Sequence, residues 1–176
     1  ATAGHDTTRN AISGGLHALL AHPDQLALLQ ATCHDEEAVK LAVEEMIRWT
    51  TPVAQFARTA TRDYELRGKT IQAGEHVGLM YASSNFAEKN FDKKEVFNIP
   101  SNTNRHLAFG TGPHQCLGLL LARLEMRLFF SAFIPRIKFM SLAGEPQRLR
   151  ASFVHGFKHL PIRFELHDAQ SLRSKG

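Results

Sequence analysis

The chain turns on the ten residues Phe109-Gly110-Thr111-Gly112-Pro113-His114-Gln115-Cys116-Leu117-Gly118. Their glycines and proline break regular structure and mark a loop. The apolar run Leu119–Ile134 that follows predicts a helix, stopped by Pro135. Cys116 therefore lies at a helix start. Backbone N–H groups and the helix dipole favour a thiolate there. A lone cysteine beside a turn is more often an inert buried residue. Its spacing relative to Phe109, Gly112, His114 and Gly118 decides against that reading here.

The remaining composition sets bounds. An apolar fraction of 43% in 176 residues is enough for a real core. Two cysteines, Cys33 and Cys116, make no disulfide framework, and no signal peptide is present. The longest apolar stretch carries Arg123, Glu125 and Arg127, which suits a buried helix and not a membrane span. The net charge of +4 is spread along the chain with no Lys/Arg block, so nucleic acid is not an expected partner. A mildly basic surface would suit an acidic protein partner.

Thr7–Ala21 places Ile12, Leu16, Leu19 and Leu20 on one helical stripe. Gly14 and Gly15 weaken that helix by about 1 kcal/mol each relative to Ala, so close packing must need them small. Pro23 opens a second helix, His22–Ala31. Asp35 caps a third, with Glu36 and Glu37 in its first turn and Val39, Val43, Met46 and Ile47 facing inward; Pro52 ends it. From Val53 the texture becomes β-like: Gln55–Thr61, Tyr64–Leu66, Thr70–Ile71 and His76–Tyr81, broken at Arg67-Gly68 and Ala73-Gly74. Asn85–Arg105 reads as a long loop, a length usually tied to function. Ile137–Met140, Phe153–Val154 and Pro161–Leu166 read as short strands, with a turn at Gly144-Glu145-Pro146. Residues 1–170 read as one unit, with 171–176 as a tail.

Two further constellations stand out. In Ala3-Gly4-His5-Asp6-Thr7-Thr8, helical spacing puts Ala3 and Thr7 on one face. Small residues there leave room for a flat cofactor and a diatomic ligand, while Thr7 and Asp6 offer a route for protons. Taken alone, the motif reads more readily as a helix start capped by Asp6 or Thr7. Glu45 and Arg48, three apart on the third helix, can pair. Such pairs are mostly solvated, and Glu44, four from Arg48, points the same way.

The spacing Phe-x-x-Gly-x-His-x-Cys-x-Gly, carried by Phe109, Gly112, His114, Cys116 and Gly118, resembles the haem-binding loop of the cytochrome P450 family, the haem-thiolate monooxygenases. The resemblance runs from Ala3 to about Leu166. It implies a mainly α fold with small β-sheets, the C-terminal part of the P450 fold, with the N-terminal half absent. It implies haem b (iron protoporphyrin IX), with Cys116 as axial ligand and Phe109, Gly112, His114, Gly118 and Arg58 as cofactor contacts. Arg58 and His114 correspond to propionate contacts, and a guanidinium suits a carboxylate. A thiolate ligand pushes electron density through the iron. Gly4, Asp6 and Thr7 match the family's oxygen-activating helix. Glu45 and Arg48 match a buried pair that pins the loop before the cysteine. Ala3, Val53, Ala54, Phe153 and Val154 fall in substrate-lining segments. Where soluble bacterial members place an arginine that completes the pair, this chain has Ser101, and Arg105 is the nearby substitute to consider.

The implied reaction inserts one oxygen atom of O2 into a small apolar substrate, with electrons from a ferredoxin or similar donor, in a soluble cytoplasmic protein of bacterial type. The alternatives are a haem-binding fragment or module without turnover, and a haem-thiolate enzyme doing isomerisation or peroxide chemistry. Retention of Asp6-Thr7 argues against the latter. With half the fold missing, Leu16, Leu19, Leu20, Leu120 and Phe130 are expected to be partly uncovered, inviting oligomerisation. Gly110-x-Gly112 lacks the third glycine of a nucleotide fingerprint. His17, His22, His34 and Cys33 lack metal-ligand spacing. There is no serine nucleophile elbow, and Phe129, Phe130 and Phe133 read as core.

Overall fold

A computed structural model describes residues 2–87, 95–101 and 105–168. Helix α1 (Thr2–Ala21), α2 (Pro23–Thr32), α3 (Glu36–Thr50) and α5 (Leu119–Phe133) form the body. Strands β1 (Gln55–Thr59), β2 (Tyr64–Leu66), β3 (Lys69–Ile71) and β4 (His76–Met80) follow α3, then a one-turn helix α4 (Tyr81–Asn85). Strands β5 (Ile137–Leu142), β6 (Gln147–Arg148), β7 (Phe157–His159) and β8 (Ile162–Leu166) close the chain. The expected tail, 171–176, lies outside the described residues.

Helix α3 starts where a side chain satisfies free N–H groups. The Asp35 carboxylate accepts from the N–H groups of Glu37 and Ala38, and Glu36 and Glu37 sit favourably in the first turn. Pro23 begins α2, whose N-cap His22 turns its ring back: Nδ1 lies 2.8 Å from the Ala18 carbonyl at the end of α1. Helix α3 stops where Thr51 takes a left-handed φ of 36° ahead of Pro52. Because α1 begins at Thr2, Asp6 and Thr7 lie within it, which rules out the capping role that their residue types allow.

The core lies where α1, α3 and α5 pack, around Leu19, Val39, Val43, Met46, Met126 and Phe130. A Cβ on Gly14 would collide with the Thr50 methyl, and one on Gly15 would meet Met46 and Phe130. The two glycines therefore let α1 approach α3 and α5, as the sequence implied. Leu19 and Phe130, expected to be partly uncovered, are fully buried in this layer. Phe129 and Phe133 pack against the same core. Leu16 and Leu20 are partly exposed and Leu120 is exposed, as expected; Leu120 lies with Leu117, Leu121, Leu124 and Leu128 in an uncovered apolar surface on α5 and just before it.

Among the described residues, four two-stranded antiparallel sheets decorate the helices: β1–β4, β2–β3, β5–β8 and β6–β7. Arg67 (φ 51°) and Gly68 (φ 76°) form the two-residue turn between β2 and β3. Phe153–Val154 is not a strand; Val154 makes only an isolated bridge to Val53. Strands β6 and β7 and helix α4 were not expected from the sequence.

Gly14→Ala should lower stability by about 1–3 kcal/mol despite the better helix propensity of Ala. Thr50 cannot turn away cheaply, because its hydroxyl donates to the Met46 carbonyl at 2.7 Å. Gly4→Ala, where a Cβ would meet nothing within 4 Å, should raise stability by up to about 1 kcal/mol. Thermal melts of the two variants check the contrast.

Candidate functional site

Helix α3 carries the anchor of the site. Glu45 and Arg48 are each 2% exposed and paired through two hydrogen bonds, Nε to Oε2 at 2.8 Å and Nη2 to Oε1 at 2.7 Å. The solvated pairing typical of this spacing is thus not what α3 builds. A buried ion pair is tolerable only when its remaining donors and acceptors are also met. Here loop backbone meets them. Arg48 donates to the carbonyls of Asn85 (3.0 Å) and Val96 (3.3 Å), and the Asn98 N–H donates to Glu45 (3.0 Å). Arg105 is exposed and makes none of these bonds. Ser101, where an arginine was expected, is half-buried, and its N–H donates to the Asn98 carbonyl. Among the described residues, loop backbone groups of Asn85, Val96 and Asn98 meet the pair.

Asn85, fully buried at the end of α4, passes the order on. Its amide donates to the Thr51 hydroxyl (2.8 Å), and its Oδ1 accepts the Leu107 N–H (2.6 Å). Leu107 leads into the cysteine loop. There the Gly110 N–H donates to the Leu107 carbonyl and the Cys116 N–H to the Phe109 carbonyl (2.9 Å). Gly110 and Gly112 have φ of 67° and 71°, the left-handed region that favours glycine. A Cβ on Gly110 would also lie 3.2 Å from the Tyr81 hydroxyl. The loop ends in a 3-10 turn, Gly112–His114, and leaves Cys116 exposed three residues before α5. His114 is exposed too, and Gly112 and Gly118 face open space.

The other expected residues converge through packing. The Phe56 ring lies 6.0 Å from Tyr81, which touches the loop at Gly110, and 5.2 Å from Phe153. Arg58, on the same strand β1, is half-buried and donates to the Ala57 carbonyl. The Val53–Val154 bridge and the Ala54 N–H to Phe153 carbonyl bond bring four expected lining residues together across about 100 positions of sequence. Two residues on, Gly156 packs against Asn10 of α1 so closely that no Cβ would fit. That contact ties the segment to the helix of Gly4, Asp6 and Thr7. Thr7 is half-buried, and Asp6 is exposed and paired with Arg9 at 2.9 Å. Ala3 lies on α1, but its side chain is outside the described set.

Sequence reasoning missed Glu44. Instead of joining Arg48, it accepts two bonds from Arg123 of α5 (2.6 and 2.8 Å) and lies 3.1 Å from His106 Nε2. Burial pushes its carboxyl up. The bonds from His106 and Arg123, with the Arg123 charge, outweigh this and bring it from 4.5 to about 2. The His17 ring packs at a tilt against Phe157 and the His22 ring edge-on against Trp49, so both serve packing. Burial and the Arg148 charge lower the pKa of His17.

Glu45→Ala should cost about 3–5 kcal/mol, because it strands a buried guanidinium; chemical denaturation measures it. Glu44→Gln should cost on the order of 2–3 kcal/mol at neutral pH. The Glu44 pKa is depressed on folding, so its contribution is present above pH 4.5 and is lost as pH falls through about 2. The wild-type advantage over Glu44→Gln in pH-dependent denaturation should shrink across that window.

The family profile described as Cytochrome P450 matches residues 1–164. The chain is 44% identical over 164 residues to cytochrome P450-terp of Pseudomonas sp, covering 93% of this chain and 38% of that protein. It is 43% identical over 166 residues to a steroid C26-monooxygenase of Rhodococcus jostii, covering 94% and 34%. The fold superposes on the crystal structure of CYP108D1 from Novosphingobium aromaticivorans with a TM-score of 0.87 and 46% identity, covering 95% of this chain and 40% of that one. P450BioI, solved in complex with a hexadec-9Z-enoic acid ligated acyl carrier protein, gives 0.87 at 37% identity, with 93% and 42% covered. The chain thus spans about two fifths of the length of the relatives it matches. The cysteine loop, the buried Glu45–Arg48 pair and this likeness along nearly the whole chain agree: the chain belongs to the cytochrome P450 family.

Proposed function

We propose that this chain is the haem-ligating part of a haem-thiolate monooxygenase. The overall reaction converts a substrate C–H to C–OH with O2, two electrons and two protons, the second oxygen atom leaving as water. The observation that carries the reading is the cysteine loop: an exposed thiol held by its own N–H to Phe109, ahead of a 15-residue helix. The donor set fits haem b. Cys116 offers a soft sulfur for iron, and Arg58 and His114 offer donors for carboxylates. Gly112 and Gly118, where an added Cβ would meet nothing within 4 Å, leave space in front of the loop. Thiolate-ligated haem, when bound, supplies the activation of O2.

The chain's own residues do the rest of the work. Phe109 and Arg58 hold the cofactor's surroundings. Thr7 holds a proton at its hydroxyl, and exposed Asp6 exchanges protons with solvent. Gly4 would leave α1 without side-chain bulk toward the cofactor. Ala3, Val53, Ala54, Phe153 and Val154 line an apolar substrate site, in line with relatives named for steroid oxidation. Electrons come from a ferredoxin or similar donor, and the setting is cytoplasmic; among the described residues no helix is long and apolar enough to cross a membrane. Residues 1–170 act as one unit.

The uncovered stripe Leu117, Leu120, Leu121, Leu124 and Leu128 favours a second reading, a haem-binding module without turnover that oligomerises through that stripe.

The test is the absorption spectrum of the reduced, CO-bound, haem-loaded protein. The red-shifted Soret band of a thiolate complex is expected in the wild type and absent in Cys116→His. A wild type without that band refutes the ligation. A normal band, no oxidised product under a full electron supply, and an oligomer by sedimentation would select the second reading.

A further inference from the structure

Two adjacent glutamates on α3 face different parts of the molecule. Glu45 meets Arg48 and the loop at Asn98. Glu44 meets the cysteine loop from both sides. His106 stands ten residues before Cys116 and Arg123 seven after it. The His106 side chain is 2% exposed. Its Nδ1 accepts the Ala108 N–H (3.3 Å), so Nε2 carries the proton and donates to Glu44 Oε2. Arg123 binds both Glu44 oxygens in a planar fork, which fixes its direction as well as its distance.

The fork also sets a ring. The Arg123 guanidinium lies 4.8 Å from the centroid of Phe109, and the His106 ring lies 5.8 Å from the same residue. Phe109 is the residue whose carbonyl accepts the Cys116 N–H. One carboxylate thus orders both groups that flank Phe109, and Phe109 orders the cysteine.

We propose that Glu44 is a positioning residue for Cys116, clamping both ends of the cysteine loop to α3 through His106 and Arg123. Its value to the reaction rests on the reading of Cys116 as the iron ligand; its hold on the loop does not. The Asn85–Leu107 bond is a separate tether, so loss of Glu44 loosens the loop without releasing it. The Glu45–Arg48 pair holds its own loop independently, since none of its described bonds passes through Glu44.

The experiment uses the full chain, with and without haem. Hydrogen exchange is followed at the Cys116 amide and across 106–118, in Glu44→Gln and in Arg123→Lys, which keeps the charge but loses the fork. Each loses charge-assisted bonds, so the Cys116 amide should exchange about tenfold faster or more. The α3 amides of Val43–Ile47 and the β1–β4 pair should keep wild-type protection. With haem, Glu44→Gln should move part of the CO-bound Soret band from the thiolate position to that of a neutral ligand. A merely structural residue would lower haem content without changing that proportion. Unchanged exchange at Cys116, a uniform rise along the chain, or failure of both variants to fold overturns the proposal. Faster Cys116 exchange in a chain whose wild type never shows the thiolate band would refute iron ligation and leave the clamp standing.

Discussion

The buried Glu45–Arg48 pair governs the arrangement of everything after α3. Two charges taken out of water cost several kcal/mol each, and their attraction offsets this only if their other hydrogen-bonding positions are filled. Those positions are filled by the backbone of Asn85, Val96 and Asn98, none of them near α3 in sequence. The chain must therefore leave α3, build the β1–β4 unit and return to the same helix. The one-turn α4 ends at Asn85 for the same reason. That residue is at once a carbonyl for Arg48, an amide for Thr51 and an acceptor for Leu107. The loop and the entrance to the cysteine loop therefore share one anchor, Asn85.

Small residues decide how closely the pieces can meet. Gly14 and Gly15 bring α1 down onto α3, Gly110 lets the cysteine loop touch Tyr81, and Gly156 lets the Phe153–Val154 segment seat on Asn10 of α1. Each gives up backbone entropy or helix propensity for contact. Together they relate a helix, a strand pair and a loop that share few direct bonds. The Asn10 side chain shows how tight the last contact is: it is 2% exposed and, among the described residues, neither polar atom has a hydrogen-bond partner.

What the sequence shows depends on the range of the interaction. Caps and periodicity are local, so Asp35, Pro23 and Pro52 mark helix ends within a residue or two of where they fall. The cysteine loop is legible because its glycines, proline and cysteine lie within ten positions. Glu44 is not legible, because its partners lie 62 and 79 residues away and a nearer cation, Arg48, offers a plausible local pair. Strands β6 and β7, two and three residues long, are too short to carry an alternation. Helix α4, Tyr81–Asn85, is rich in serine and asparagine, which are poor helix formers; buried bonds to Asn85 hold it in place. Burial misleads in a similar way. Leu19 and Phe130 are covered by the α1–α3–α5 layer that the glycines create, which no single helix announces.

Helix α5 carries a further argument in its own pattern. Met126 and Phe130, four apart, face the core. Leu120, Leu124 and Leu128, also four apart, form a second stripe on the opposite side, with Leu117 and Leu121 beside it. An amphipathic surface helix has one such stripe; apolar residues on two sides belong to a helix covered on both. Only the first stripe is covered by the described residues. One polar residue between them is used: Arg123 reaches Glu44 and Phe109, bonding across to α3. So α5 is fixed to this part of the molecule by one apolar stripe and one charged fork, and its orientation does not depend on what covers the second stripe. The cysteine loop, hung between His106 and Arg123, thus shares its anchor on α3 with α5, while Asn85 of α4 tethers its entrance.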